Sequence, residues 1–151
     1  VNYPVRSLEY GLVSLIVLFH DVIIPLGVFS FLGKFYGVQI TIPVIVAFLT
    51  VVGYSINDTI VVLDRVRENL LKRIGENYEE TIDISLNQTL SRSFNTSLTT
   101  LFPLFAIFFL GGETLKYFSL ALIVGIIAGA YSSIFLASPL LVVWLKWRKR
   151  I

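Results

Sequence analysis

Four long apolar runs dominate the pattern of this chain. Leu8–Leu32 is interrupted by Glu9 at its edge and by His20-Asp21 at its centre. Ile40–Leu63 carries one charge, Asp58, whereas Ser93–Leu110 and Tyr117–Leu145 carry none. A helix rises about 1.5 Å per residue, so about 20 apolar residues cross roughly 30 Å of hydrocarbon. All four runs are long enough, the third being the shortest. The pattern predicts an all-α membrane bundle with transmembrane helices over 8–32, 40–63, 93–110 and 117–145. The last is long enough to tilt or to continue past the bilayer.

The connectors alternate in character. Gly33–Gln39 and Gly111–Lys116 are short, and the segment 64–92 is longer and charged. Asp64-Arg65-Val66-Arg67-Glu68 extends the second helix into water, with opposite charges at helical spacing in Asp64/Arg67 and Glu68/Lys72. Gly75-Glu76-Asn77 ends that helix. Ile82, Leu86 and Leu90 then form an apolar stripe, which lies on the membrane surface, on a partner, or across the end of the bundle as a cap.

Composition sharpens this reading. The 151 residues are 56% hydrophobic and 15% charged, against about 25% charged in a soluble domain. A net charge of +2 leaves no footprint for nucleic acid. With no cysteine and a single histidine, disulfide frameworks, zinc sites and thiol chemistry are excluded. Of the 12 basic residues, only Lys34 and Lys116 lie in the short connectors. The rest (Arg6, the group from Arg65 to Arg92, and Lys146 to Arg150) put both termini and the 64–92 segment in the cytoplasm by the positive-inside rule. Tyr3, Tyr10, Tyr36, Tyr117, Trp144 and Trp147 fall near span ends, as interfacial anchors do. The chain opens at Val1 with no cleavable signal, and reads as a piece of a longer polypeptide.

Polar side chains inside the apolar runs carry the candidate chemistry, because a charge near mid-span costs about 2.5–3.5 kcal/mol on insertion scales. Asp58 lies about 9 Å to the cytoplasmic side of its span's centre, counted at 1.5 Å per residue. It is flanked by Ser55, Asn57 and Thr59, with Gly53 allowing another backbone to approach closely. Desolvation there favours the neutral acid unless a cation is near, so Asp58 handles protons or, as the plainer reading, clamps helices together. Arg92 opens the third run and Asn95, Thr96, Thr99 and Thr100 follow it. Much of that polarity shares one face, which must point into the bundle or a wet cavity. Arg92 is the arginine placed to reach Asp58; the alternative is that it snorkels to the headgroups. His20-Asp21 serves either a proton relay or an interhelical clamp, and as neighbours on a helix these two need not touch.

The fourth run contributes packing. Ala121, Gly125, Gly129, Ser133 and Ala137 recur every four residues as a small-residue face for close helix association. Pro25, Pro103 and Pro139 are expected to kink or break their helices. No nucleophile–base set, metal cluster or phosphate loop is present, so neither an enzyme nor a cofactor is expected.

The run Gly53-Tyr54-Ser55-Ile56-Asn57-Asp58-Thr59-Ile60-Val61-Val62-Leu63-Asp64-Arg65-Val66-Arg67-Glu68-Asn69 closely resembles the signature of the SecF family of the bacterial Sec protein-export machinery. Phe19-His20-Asp21-Val22-Ile23-Ile24 is similar to the family's His-Asp motif. Leu86–Arg92 with Thr96–Leu101, Gly111-Gly112 and Ala130–Ile134 follow in matching order, covering nearly the whole chain. The resemblance implies an RND-superfamily membrane half in the bacterial cytoplasmic membrane, working with SecD and the SecYEG channel, with YajC and YidC as further partners. It implies the last four of six helices, the first two and a preprotein-handling periplasmic domain being absent. It also implies use of the proton-motive force, with Asp58 and Arg92 as the titratable pair and His20-Asp21 matching by motif. Two other readings stay open: a passive scaffold for the translocon, and half of an RND-type exporter of small molecules or lipids.

Overall fold

The computed structural model describes residues 7–149; Tyr3, Arg6 and Arg150, which entered the anchor and charge patterns, lie outside the described residues. Helices α1 (Ser7–Tyr36), α2 (Ile42–Lys72), α3 (Tyr78–Leu110), α4 (Glu113–Phe135) and α5 (Ala137–Lys149) follow in order. α1, α2, α3 and the α4–α5 pair are each long and apolar enough to cross a membrane, and the chain is a four-span helical membrane bundle.

The helix ends follow from local chemistry. α2 has a proline in its first turn, where a missing N–H costs nothing. It ends at Arg73, a left-handed residue at φ 53° whose N–H reaches the Asn69 and Leu70 carbonyls. The turn then needs Gly75, because a Cβ there would lie 2.6 Å from Thr81 Oγ1 and 2.7 Å from its backbone nitrogen. Asn77 caps α3 by accepting the Glu80 N–H at 2.9 Å, and the Glu80 carboxylate accepts the Glu76 N–H at 2.8 Å. The two ends therefore face each other across a tight hairpin.

Two expectations change here, and the open readings of the stripe narrow to the cap. The amphipathic segment and the third span are a single helix of 33 residues. Its stripe does not lie flat on a membrane: Ile82 is buried against Val66, Leu70 and Leu141, with Leu86 packed beside it, and Leu90 is exposed. The fourth run is broken at Leu136. Pro139 accounts for this, since its ring would crowd the carbonyl four residues back, at Phe135. Pro25 and Pro103, by contrast, lie inside unbroken helices.

Buried positions recur every four residues. On α1 they are Glu9, Val13, Val17, Asp21, Pro25 and Phe29. On α3 they are Thr81, Ser85, Thr89, Ser93 and Ser97. On α4, Ala121, Gly125, Gly129 and Ser133 are buried. Such rows are the ridges by which helices interdigitate. The α2–α4 pair is the most extensive: Val51 fills the space over Gly125, and Ser55 lies over Gly129.

The apolar core forms two layers. One gathers Val13, Val17, Leu63, Val66, Leu70, Ile82, Ala137, Leu141 and Leu145 at the end bearing the α2–α3 turn. The other gathers Phe29, Val44, Ala47, Val51, Leu104, Ala121, Leu122, Ile123 and Ile126 toward the short connectors. A polar layer lies between them.

Candidate functional site

Helices α1 to α4 each send a polar side chain into that middle layer. Asp21 of α1 is fully buried and accepts a hydrogen bond from Ser55 of α2. Its other oxygen meets His20 Nδ1 at 3.0 Å, so the two neighbours do touch, and the His20 side chain remains 32% exposed. One turn beyond Ser55, the half-buried Asp58 accepts from Ser93 of α3 at 2.9 and 2.8 Å. Ser133 of α4 donates to its Oδ2 at 2.5 Å. The two acids and three serines thus join α1 to α2, and α2 to both α3 and α4. Tyr54 and Ser97 add a 3.2 Å hydroxyl contact between α2 and α3.

Several sequence expectations are corrected by this geometry. Arg92 does not face Asp58: it is exposed, and no ion pair joins the two among the described residues. Neighbours on a helix diverge by about 100°, so with Ser93 turned inward Arg92 turns away. Asn95, Thr96 and Thr99 are exposed and Thr100 half-buried, so this face does not point into the described bundle. Their hydroxyls are satisfied within α3, Thr96 on Arg92 O at 2.8 Å, Thr99 on Asn95 O at 2.7 Å and Thr100 on Thr96 O at 2.9 Å. Asn57 is also exposed, while Thr59 is buried with its hydroxyl unpartnered. Gly53 makes no close approach, since a Cβ there would meet nothing within 4 Å. Ser133, expected only to pack, is also a ligand of the acid.

Two polar contacts had no place in the sequence reading. At the α2–α3 hairpin, Asn69 Nδ2 donates to Ser85 Oγ at 2.8 Å and to Gln88 Oε1 at 2.9 Å, and Arg65 Nε reaches the same oxygen at 2.7 Å. Glu9, buried in α1, takes Arg148 of α5 as its partner. Of the expected surface pairs, Glu68 meets Lys72 at 2.5 Å, but its second partner is Arg65 at 2.8 Å, and Asp64 does not pair with Arg67. The missed signal was periodic: Thr81, Ser85, Thr89, Ser93 and Ser97 form a four-residue column, offset from the polar face selected. Among the described residues no three His, Cys, Asp or Glu side chains converge as a metal site needs.

A bundle of membrane-spanning helices with acids and hydroxyls joined between two apolar layers is a polytopic membrane protein with a polar core. Residues 6–147 match the family described as protein export membrane protein SecD/SecF, C-terminal, and the chain belongs to that family. It is 53% identical over 144 residues to protein translocase subunit SecF of Thermobaculum terrenum, covering 95% of this chain and 44% of that protein. It is 51% identical to the SecDF subunit of Thermus thermophilus over 93% of this chain and 18% of that one. A crystal structure of SecDF in the super-membrane-facing form superposes with a TM-score of 0.85 at 50% identity, over 94% of this chain and 19% of that one. The chain spans less than half the length of the curated relatives it matches.

Proposed function

We propose that this chain is the membrane-embedded coupling part of a Sec translocase accessory subunit, one that uses the proton-motive force to assist preprotein export. Its relatives are named as translocase subunits, which supports a role in Sec-dependent transport beside a SecD-type half and the SecYEG channel. The fused SecDF relative favours the SecD partner. The site belongs in the bacterial cytoplasmic membrane, with both termini and the α2–α3 hairpin on the cytoplasmic side.

The observation that carries the reading is Asp58: a half-buried carboxylate in the polar layer, held among the described residues by hydroxyls from two other helices. A carboxylate without a cation partner can lose or gain a proton without breaking an ion pair, and each change alters its bonds to α3 and α4. Arg92 then acts at the exposed flank of α3, on the same helix as the exposed Asn95, Thr96 and Thr99. The Arg92 charge and the Asn95 amide are costly to leave to lipid; the remainder of the longer protein, or SecD, covers this flank. His20 and Asp21 form a second acid–base pair in the same layer, one helix away.

The test is gradient-dependent export in vesicles carrying the full-length parent protein, wild type against Asp58→Asn. Asparagine keeps size and hydrogen bonding but carries no proton. Loss of the gradient-driven component with normal assembly is the expected result. Full retention of gradient dependence assigns Asp58 to helix clamping, and the scaffold reading replaces the motor.

A further inference from the structure

We infer that Ser133 is a two-way hydroxyl through which Asp58 takes up a proton on Oδ2, while Ser93 is the fixed donor that holds the ionised form. The inference rests on the reading of Asp58 as the proton site, and it assigns the two serines unequal roles as positioning residues.

The asymmetry is in their second partners. Ser133 Oγ lies 2.5 Å from Asp58 Oδ2 and 3.2 Å from the carbonyl oxygen of Ala130, so its hydrogen has two acceptors. Ser93 Oγ donates to Asp58 alone among the described residues, lying within 2.9 Å of both carboxylate oxygens. Like Ser97, which meets the Tyr54 hydroxyl at 3.2 Å, Ser93 directs its hydroxyl to α2 rather than to its own helix. Ser85, Thr89, Thr96, Thr99 and Thr100 all return their hydroxyl hydrogen to a carbonyl four residues back.

Proton balance follows directly. In the ionised state both serines donate, and the carboxylate only accepts. When a proton adds to Oδ2, that oxygen becomes a donor and can no longer accept from Ser133 along the same line. Ser133 turns its hydrogen to the Ala130 carbonyl and accepts Asp58 Oδ2–H; Ser93 continues to donate to Oδ1. The proton comes from a hydronium ion, whose O–H bond breaks to leave water as the Asp58 Oδ2–H bond forms, and no helix has to separate for the uptake to occur. Ser133 lies three residues before the Leu136 break, so the reversal takes place at the end of α4 that meets α5.

Among the described residues no charged side chain pairs with the carboxylate. His20 and Asp21 on α1 pair with each other, and Tyr54 on α2 pairs with Ser97. Arg92 on α3 is exposed, and Tyr131 on α4 stacks on Phe135. None of these bonds Asp58.

The two serines therefore separate in an infrared titration of the full-length parent protein in vesicles. The acid-minus-neutral difference spectrum of wild type contains a carboxylic C=O band that Asp58→Asn removes. Ser93→Ala strips a donor chiefly from the charged form, so the pH profile of that band moves upward by about one to two pH units, the equivalent of one hydrogen bond to a charged group. Its C=O stretch also rises in frequency. Ser133→Ala removes the donor of one state and the acceptor of the other, and moves the profile less. Ser93→Thr and Ser133→Thr keep the hydroxyl and restore both features, which separates this effect from misfolding. Equal displacement in the two alanine variants, or none while the Asp58 band persists, overturns the inference and leaves the proposed function standing. Absence of any Asp58 band in wild type overturns both.

Discussion

At Gly125 an added Cβ would stand 2.2 Å from Val51 Cγ2 and 2.9 Å from its Cβ, whereas at Gly53 it would meet nothing within 4 Å. Valine is stiff at χ1 and cannot swing away, so Gly125→Ala forces α4 off α2. Overpacking of this kind costs about 1–3 kcal/mol. The expected result is a lower thermal midpoint in detergent for Gly125→Ala, partly restored by adding Val51→Ala. Gly53→Ala is neutral or gains up to about 1 kcal/mol from helix propensity. Both glycines read alike in the sequence as points of close approach. The stripe at Ala121, Gly125, Gly129 and Ser133 was legible because four small residues keep one period. A lone glycine has no period, and nothing local told which face of α2 it occupies.

The hairpin between α2 and α3 rests on one cap and one amide. Asn77→Ala removes the side-chain oxygen that accepts the Glu80 N–H and costs about 1 kcal/mol. It should show as faster amide exchange in the first turn of α3, with the spans unaffected. The four crossing segments were legible because apolar length alone decides them. The continuity of α3 was not. Asp83, Asn87 and Arg92 interrupt its hydropathy without interrupting its backbone, because those side chains lie on the exposed side while Thr81, Ser85, Thr89 and Ser93 carry the packing. The same offset separates the site from the richest polar face: Arg92 and Thr96 are exposed, and burial falls on Ser93 and Ser97, the residues that follow them. Of the site itself, Asp58 and Asp21 were readable from the cost of burying an acid; their partners required the helix phases.

At the scale of the molecule, α5 is tied across the bundle by two ion pairs of different quality. Lys146 meets Glu79 where both side chains are more than half exposed, at 58% and 57%, but Arg148 meets a Glu9 side chain that is 7% exposed. An exposed pair contributes about 0–1 kcal/mol. Removing one partner of a buried pair costs about 3–5 kcal/mol, because the remaining charge is stranded. Arg148→Ala should therefore lower the unfolding midpoint of the full-length protein in detergent far more than Lys146→Ala, and only the effect of the latter should fade in high salt.

The sandwiching of the polar layer between two apolar ones has an electrical meaning. Along the helix axes the acids sit between two insulators in series, and a transmembrane voltage drops mainly across those dry layers rather than across the hydroxyl-rich centre. A charge carried through the whole membrane gains about 2.3 kcal/mol per 100 mV. If Asp58 is the proton site proposed above, the fraction delivered on reaching it depends on how much of the Phe29, Val44 and Val51 layer has been crossed, and the balance on leaving past Leu63, Val66 and Leu141. Under the proton-coupling function proposed above, the relative thickness of these two layers, more than the acid itself, divides the driving force between the loading and the release of the proton.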